Sequence, residues 1–227
     1  MGLKERKQRE KDLRRDQIQN AAKNLFIQKS YNSTTMEEIA QRAELSPATI
    51  YNYFKNKEEL YVSLNLISLQ YLLDRTKKIH NDTQLSVEAK MIEFKNSMYD
   101  MYRFDPLILR NIFHVQIEDM LSTLNKDLLE RLNSITKEIF TIIADVYEQG
   151  ARKKIFIENH PMAMADALWG LFTGILIWEE SKKKLNPDKD FLKSTLDAAF
   201  DTFYRGIKTD REGLTVELTK KTAADVE

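Results

Sequence analysis

No cysteine occurs among the 227 residues, which removes disulfides, thiolate metal sites and cysteine nucleophiles together and fits a reducing compartment. Proline and glycine are nearly as scarce, at four and six. Strands joined by frequent tight turns are hard to build from such a chain and long helices are easy, so composition reads as all-α. Net charge is missing too, since 35 basic residues meet 35 acidic ones, and the balance alone argues neither for nor against a polyanionic partner. Long apolar runs are absent. The longest, Ala167 to Trp178, lies between Asp166 and Glu179. It falls short of the roughly 20 residues that a bilayer span needs, so it reads as a buried helix and no membrane partner is expected. The start, Met1 to Arg6, is charged where a signal peptide needs an apolar stretch, and the expected location is cytoplasmic.

What is present is helical periodicity and well-formed helix starts. Hydrophobic residues make up 42% of the chain, enough for sizeable cores. Between Met1 and Arg15 seven bases stand against three acids, which reads as a basic N-terminal arm over residues 1–15, ahead of the first helix. Ile18, Ala21, Ala22, Leu25 and Phe26 form an amphipathic stripe ending near Lys29-Ser30. Thr35-Met36-Glu37-Glu38 has the capping-box form, in which hydroxyl and carboxylate satisfy backbone N–H groups reciprocally, so a second helix starts at Thr35. Ala43-Glu44-Leu45 is a turn, and Ser46-Pro47 caps and opens a third helix reaching about Tyr53. Asn56 starts a long fourth helix toward Ile79, and Asn81 to Gln84 reads as a connector. Helices then follow over about Val87–Tyr102 and Pro106–Ile117, then from Thr123 or Asn125 to Gln149 with Gly150 as stop. Two more run from Pro161 to Glu180 and from Pro187-Asp188 to Gly206-Ile207. The expected organisation is a helix-turn-helix domain over 16–60, a helical domain over 61–207 and a polar tail over 208–227.

Two short helices joined by three residues, braced by a preceding amphipathic helix, make a helix-turn-helix arrangement. The second helix is roughly 12 Å long, a match for the width of a DNA major groove. Ile50 and Phe54 share the inward face, which leaves Pro47, Ala48, Thr49, Tyr51, Asn52 and Tyr53 outward. Ala48 and Thr49 are small enough to admit base edges, and Tyr51, Asn52 and Tyr53 offer hydrogen-bonding groups to bases and phosphates.

The run Thr34 to Ala43, followed by Leu45-Ser46-Pro47-Ala48-Thr49-Ile50-Tyr51-Asn52-Tyr53-Phe54-Lys55-Asn56-Lys57-Glu58-Glu59-Leu60, closely resembles the DNA-binding domain of the tetracycline-repressor (TetR) family. The resemblance covers about residues 11–65. It implies that Thr35 caps helix two against a phosphate, that Ser46 to Tyr53 form the recognition helix, and that Lys57 binds backbone phosphate. Glu44 departs from the pattern, because the family usually has glycine in this turn, where left-handed dihedrals cost another residue roughly 1 to 2 kcal/mol. Further along only the layout is similar. It implies a helical domain with an effector cavity, and two last helices that build a dimeric four-helix bundle.

Met91, Phe94, Met98, Met101, Tyr102, Phe104, Phe113 and Met120 carry little charge, and an apolar or aromatic effector follows if they line such a cavity; as core residues they need no ligand. A lone helix-turn-helix covers one half-site, so a homodimer on palindromic double-stranded operator DNA is expected. Its seam is placed on Trp169, Gly170, Thr173, Gly174 and Ile177, with Leu196, Phe200 and Phe203 on the partner helix. His80, His114 and His160 are widely spread; His114 and Glu118 share a helix face, but no metal or cofactor is expected. No activated nucleophile, phosphate loop or paired acids suggest an enzyme. The reading is a DNA-binding regulator, a repressor controlled by a small hydrophobic effector. The alternatives are a helical protein-interaction module without DNA specificity and an enzyme housed in the helical domain.

Overall fold

The computed structural model describes residues 2–105, 124–186, 188 and 190–209. Among these the helices are α1 (Leu3–Lys29), α2 (Met36–Arg42), α3 (Pro47–Tyr51), α4 (Lys57–Asn81), α5 (Val87–Phe104), α6 (Lys126–Arg152), α7 (Pro161–Leu185) and α8 (Leu192–Ile207). The expected helix over Pro106–Ile117, with Phe113, His114, Glu118 and Met120, lies outside the described residues.

Side-chain caps fix most of the starts. Thr35 Oγ1 accepts from Glu38 N at 3.2 Å while Glu38 Oε2 accepts from Thr35 N at 2.9 Å, the reciprocal box read in the sequence. Ser46, Asn56, Ser86 and Asn125 each accept from the backbone N–H three residues on, at 3.1, 2.7, 3.1 and 2.8 Å.

Several boundaries differ from expectation. Residues 3–15 are not an arm preceding α1 but its first half, a helix without an apolar stripe. α3 ends at Tyr51 rather than Tyr53. Gly150 does not stop α6, which continues to Arg152 and turns at Lys154 with φ 59°. Its glycine has another reason: a Cβ there would meet Phe156 Cδ2 at 2.1 Å, so the Phe156 ring packs directly on the helix backbone. The last helix begins at Leu192, after Asp188 in a turn. Of the presumed tail, Lys208 and Thr209 are pinned, Phe156 and Lys208 forming an isolated antiparallel bridge with Thr209 N donating to Ile155 O at 3.0 Å. Positions from 210 on lie outside the described residues.

α1 packs on α2 and α4, and α2 on α3, around Ile18, Phe26, Ile39, Ile50, Phe54 and Leu60, all at most 2% exposed. α4 then leaves this head and packs against α5 and α6; α6 packs on α7, and α7 on α8. By length and composition 161–183 within α7 could cross a membrane. In the fold its Ala165, Leu168, Phe172 and Leu176 bury against its own chain while Ala167, Gly170, Gly174 and Trp178 face outward.

Candidate nucleic-acid interface

The turn between α2 and α3 keeps its left-handed residue without glycine. Glu44 sits at φ 54°, with Leu45 N donating to Ala40 O at 2.9 Å and Glu44 N to Gln41 O at 3.1 Å. The departure from glycine therefore leaves the motif intact, at the steric expense expected of an L side chain there. α1 braces the turn from behind through Gln17 Nε2, which donates to Ala43 O at 2.7 Å.

On α3, Ile50 is fully buried and Phe54 follows it into the core, so the residues between them define the outer surface. Pro47, Ala48, Tyr51 and Asn52 are exposed; Thr49 and Tyr53 are half-buried, Tyr53 packing against the core. Ser46 and Thr49 hydroxyls hydrogen-bond to each other at 2.8 Å and Ser46 also caps the helix, so both are partly committed to shaping α3. The open hydrogen-bonding surface thus narrows to Tyr51, 47% exposed, and Asn52 beside small Ala48.

Lys57 is placed differently from a freely solvated lysine. Its Nζ donates to Tyr31 O at 3.0 Å and Thr34 O at 2.9 Å and lies 4.2 Å from the centre of the Tyr31 ring. Two of its three donors thus tie the α1–α2 loop to the start of α4, leaving one for anything outside. The loop is held further by Tyr31 Oη donating to Glu58 Oε1 at 2.7 Å and by the Phe26, Tyr31 and Tyr61 rings, whose centroids are 4.6 to 5.6 Å apart. Sequence reasoning missed Arg15, whose guanidinium lies 4.4 Å over the Phe54 ring, and exposed Lys55 just beyond α3. Burial lowers the Arg15 pKa, offset by the nearby Glu59 carboxylate. Both bases flank the recognition surface; the clue was their nearness to the motif.

The residues expected around an effector fall on one side of α5: Met91, Phe94, Met98, Met101 and Tyr102 are all buried, while Phe104 is half exposed and stacks on Tyr71 with centroids 5.0 Å apart. Tyr102 Oη donates to Glu180 Oε1 at 3.1 Å, and burial together with that carboxylate raises the phenol pKa. On α4, Asn65 is 2% exposed and its Oδ1 has no hydrogen-bond partner among the described residues, an orphan acceptor that sequence reasoning did not find. Met91 also floors an open cleft of about 240 Å³ with Leu168, Phe200 and Phe203.

The expected dimer residues divide. Leu196 and Phe200, 3% and 5% exposed, are interior to their own chain and not available to a partner. Trp169 is half-buried against Phe140 and Phe172, with centroids 5.8 and 6.1 Å away. Thr173, Ile177 and Phe203 are half-buried, and Gly170 and Gly174 are exposed with open space where a Cβ would stand.

A capped short helix presented outward from a braced three-helix head, on a separate helical body, defines a helix-turn-helix protein. Residues 18–64, the helix-turn-helix head, match the family described as "Bacterial regulatory proteins, tetR family". The chain is similar to the HTH-type transcriptional regulator QacR of Staphylococcus aureus strain Mu50, 28% identical over 105 residues, 46% of this chain and 50% of QacR. It is also similar to IcaR of Staphylococcus epidermidis, the negative transcriptional regulator of the biofilm operon icaADBC, 23% identical over 134 residues, 59% of this chain and 69% of IcaR. The match to QacR spans half of that relative's own length. The fold resembles the solved structure of the transcriptional regulator FadR from Bacillus subtilis in complex with stearoyl-CoA. That likeness has TM-score 0.63 at 21% identity and covers 84% of this chain and 98% of that one.

Proposed function

We propose that this chain is a repressor of transcription that binds a palindromic operator in the cytoplasm as a homodimer and answers to a small hydrophobic effector. The observation that carries the reading is the outward surface of α3: exposed Tyr51 and Asn52 beside Ala48, on a helix held by the Ser46 cap and by Ile50 in the core. A polar and aromatic surface of that size fits a major groove and reads base edges, while the residues around it hold the helix in place. That IcaR is a negative regulator supports repression.

Dimerisation is supported by α7. Its outer face is Ala167, Gly170, Gly174 and Trp178, the last 62% exposed, and the neighbouring outward positions of α8 are Ser194, Ala198 and Thr202. Small residues on two adjacent helices, with apolar area between them, suit close helix-on-helix packing with a second copy. The seam moves outward from Leu196 and Phe200 to these positions.

The effector reading rests on the methionine and aromatic wall of α5 and on Asn65 Oδ1, which has no donor among the described residues. A buried acceptor without a donor costs about 1–3 kcal/mol, which a ligand N–H or O–H would recover. That the similarly folded FadR was solved in complex with stearoyl-CoA, which carries a long acyl chain, supports a hydrophobic effector.

The test is a salt titration of duplex binding followed by fluorescence anisotropy. A regulator neutralising several phosphates loses affinity linearly in log–log coordinates, with slope about −0.9 per phosphate. Binding to duplexes that is absent, or indifferent to salt, overturns the reading.

A further inference from the structure

We infer that the N-terminal half of α1 is a second DNA-binding element, a basic helical face that follows the phosphate backbone beside the half-site read by α3. This deepens the reading above and rests on it.

From Leu3 to Arg14 every residue of α1 is exposed, a projection of about 18 Å beyond the head. Four of its bases share a face. Lys4, Lys7, Lys11 and Arg14 recur at alternating spacings of three and four residues, and so share one side. Glu5, Asp12 and Asp16 fall on the opposite side, Arg6 and Arg9 lie off the basic face, and Glu10 borders it, three residues from Lys7 and four from Arg14. Lys4, Lys7 and Lys11 stand in none of the ion pairs among the described residues. Two of the acids take local partners that support the helix: Glu5 Oε2 accepts from Gly2 N at 3.0 Å and Asp12 Oδ1 from Gln8 Nε2 at 2.8 Å.

The direction of the basic face follows from the residues after it. The spacing that links Lys4, Lys7, Lys11 and Arg14 continues unbroken through Ile18, Ala21 and Leu25, all buried in the head. The bases therefore prolong the side of α1 that packs on the other helices of the head. Where the helix leaves the core, Arg15 lies over Phe54 just beyond α3, and Gln17 holds Ala43 in the turn before it. The projecting face thus overhangs the flank of the recognition helix.

The chemistry selects a polyanion. The alternating spacing is that of a coiled-coil seam, but lysine and arginine at every seam position repel a second copy. A lipid surface requires an apolar face, and the projection offers only Leu3 and Leu13, ten residues apart and too few to make one. An extended row of cations at one-turn intervals suits the regularly spaced phosphates of a duplex, where each neutralised phosphate releases counterions and carries no sequence information.

Two double variants of equal charge test this: Lys7→Ala/Lys11→Ala on the basic face and Arg6→Ala/Arg9→Ala off it. Each full-length protein is titrated with salt against a 40-base-pair mixed-sequence duplex, with circular dichroism checking that helicity is kept. The first variant is expected to shallow the log–log slope by about 2 per bound protomer, and the second by less than half as much. Equal slopes for the two variants, or a wild-type slope in the first, overturn the inference while leaving the α3 reading in place. A wild-type protein with no salt-dependent duplex binding overturns both.

Discussion

Lys23 and Asp105 meet across the junction of the two parts of the molecule: Lys23 Nζ on α1 lies 3.3 Å from Asp105 Oδ1 at the end of α5. Asp105 Oδ2 accepts from Ser68 Oγ of α4 at 2.9 Å. The carboxylate is 3% exposed, so it is held where its charge depends on neighbouring donors, and one of them belongs to the helix-turn-helix head. Lys23→Met is expected to destabilise the protein by about 1–3 kcal/mol in urea unfolding, because a buried charge loses its cation. Adding Asp105→Asn should recover part of that loss. Strict additivity in the double-mutant cycle would show that the pair is energetically idle.

For base reading, Tyr51→Ala and Asn52→Ala should each weaken operator affinity by about 1–3 kcal/mol with little change in melting temperature, since both side chains point outward. Lys57→Ala should behave otherwise. Its bonds to the Tyr31 and Thr34 carbonyls make it part of the head's frame, so the variant is expected to melt earlier by several degrees as well as to bind all duplexes more weakly. Unchanged stability with altered sequence preference would place Lys57 among the base-reading residues.

Gly174→Arg separates the two coverings possible for α7. An added side chain meets open space within the chain, so the fold should survive. A two-fold seam sets each arginine against its own copy, and analytical ultracentrifugation should then show a folded monomer with operator binding largely lost. A dimer that binds normally would move the interface to another surface.

Gly150→Ala tests the packing of the α6–α7 loop. The new methyl would overlap the Phe156 ring, which itself stacks on Tyr147 with centroids 5.6 Å apart, and the shift should cost about 1–3 kcal/mol. A variant as stable as the wild type would mean that the ring moves freely.

What was legible in the sequence was mostly what is local. The Thr35–Glu38 box, the Ser46-Pro47 start and the inward Ile50 and Phe54 depend on residues a turn apart, so spacing alone specifies them. Periodicity also marks Leu196 and Phe200 as one apolar face, but it does not say whether the covering surface belongs to the same chain or to a second one, and here it is the same chain. Gly150 reads as a stop from its type, whereas its role comes from Phe156, a neighbour supplied by the fold. The first half of α1 escaped because periodicity methods look for apolar stripes, and its ordered stripe is made of charge. Lys57 was recognised by position, yet its carbonyl partners lie 23 and 26 residues away, beyond any local pattern.

α4 belongs to both halves of the molecule: Lys57 and Leu60 at its start help to build the head, and Ser68 farther along holds Asp105 at the end of α5. As a rod of 25 residues it is about 37 Å long, so a tilt of about 4° pivoted at Asn81 carries the Lys57 end through about 2.6 Å. That travel approaches the length of a hydrogen bond, and in a two-fold pair the two ends would move in strokes related by the two-fold axis, changing the span between the heads by up to about twice as much. A displacement too small to disturb packing at the pivot is thus large enough at the other end to take a side chain out of reach of a base.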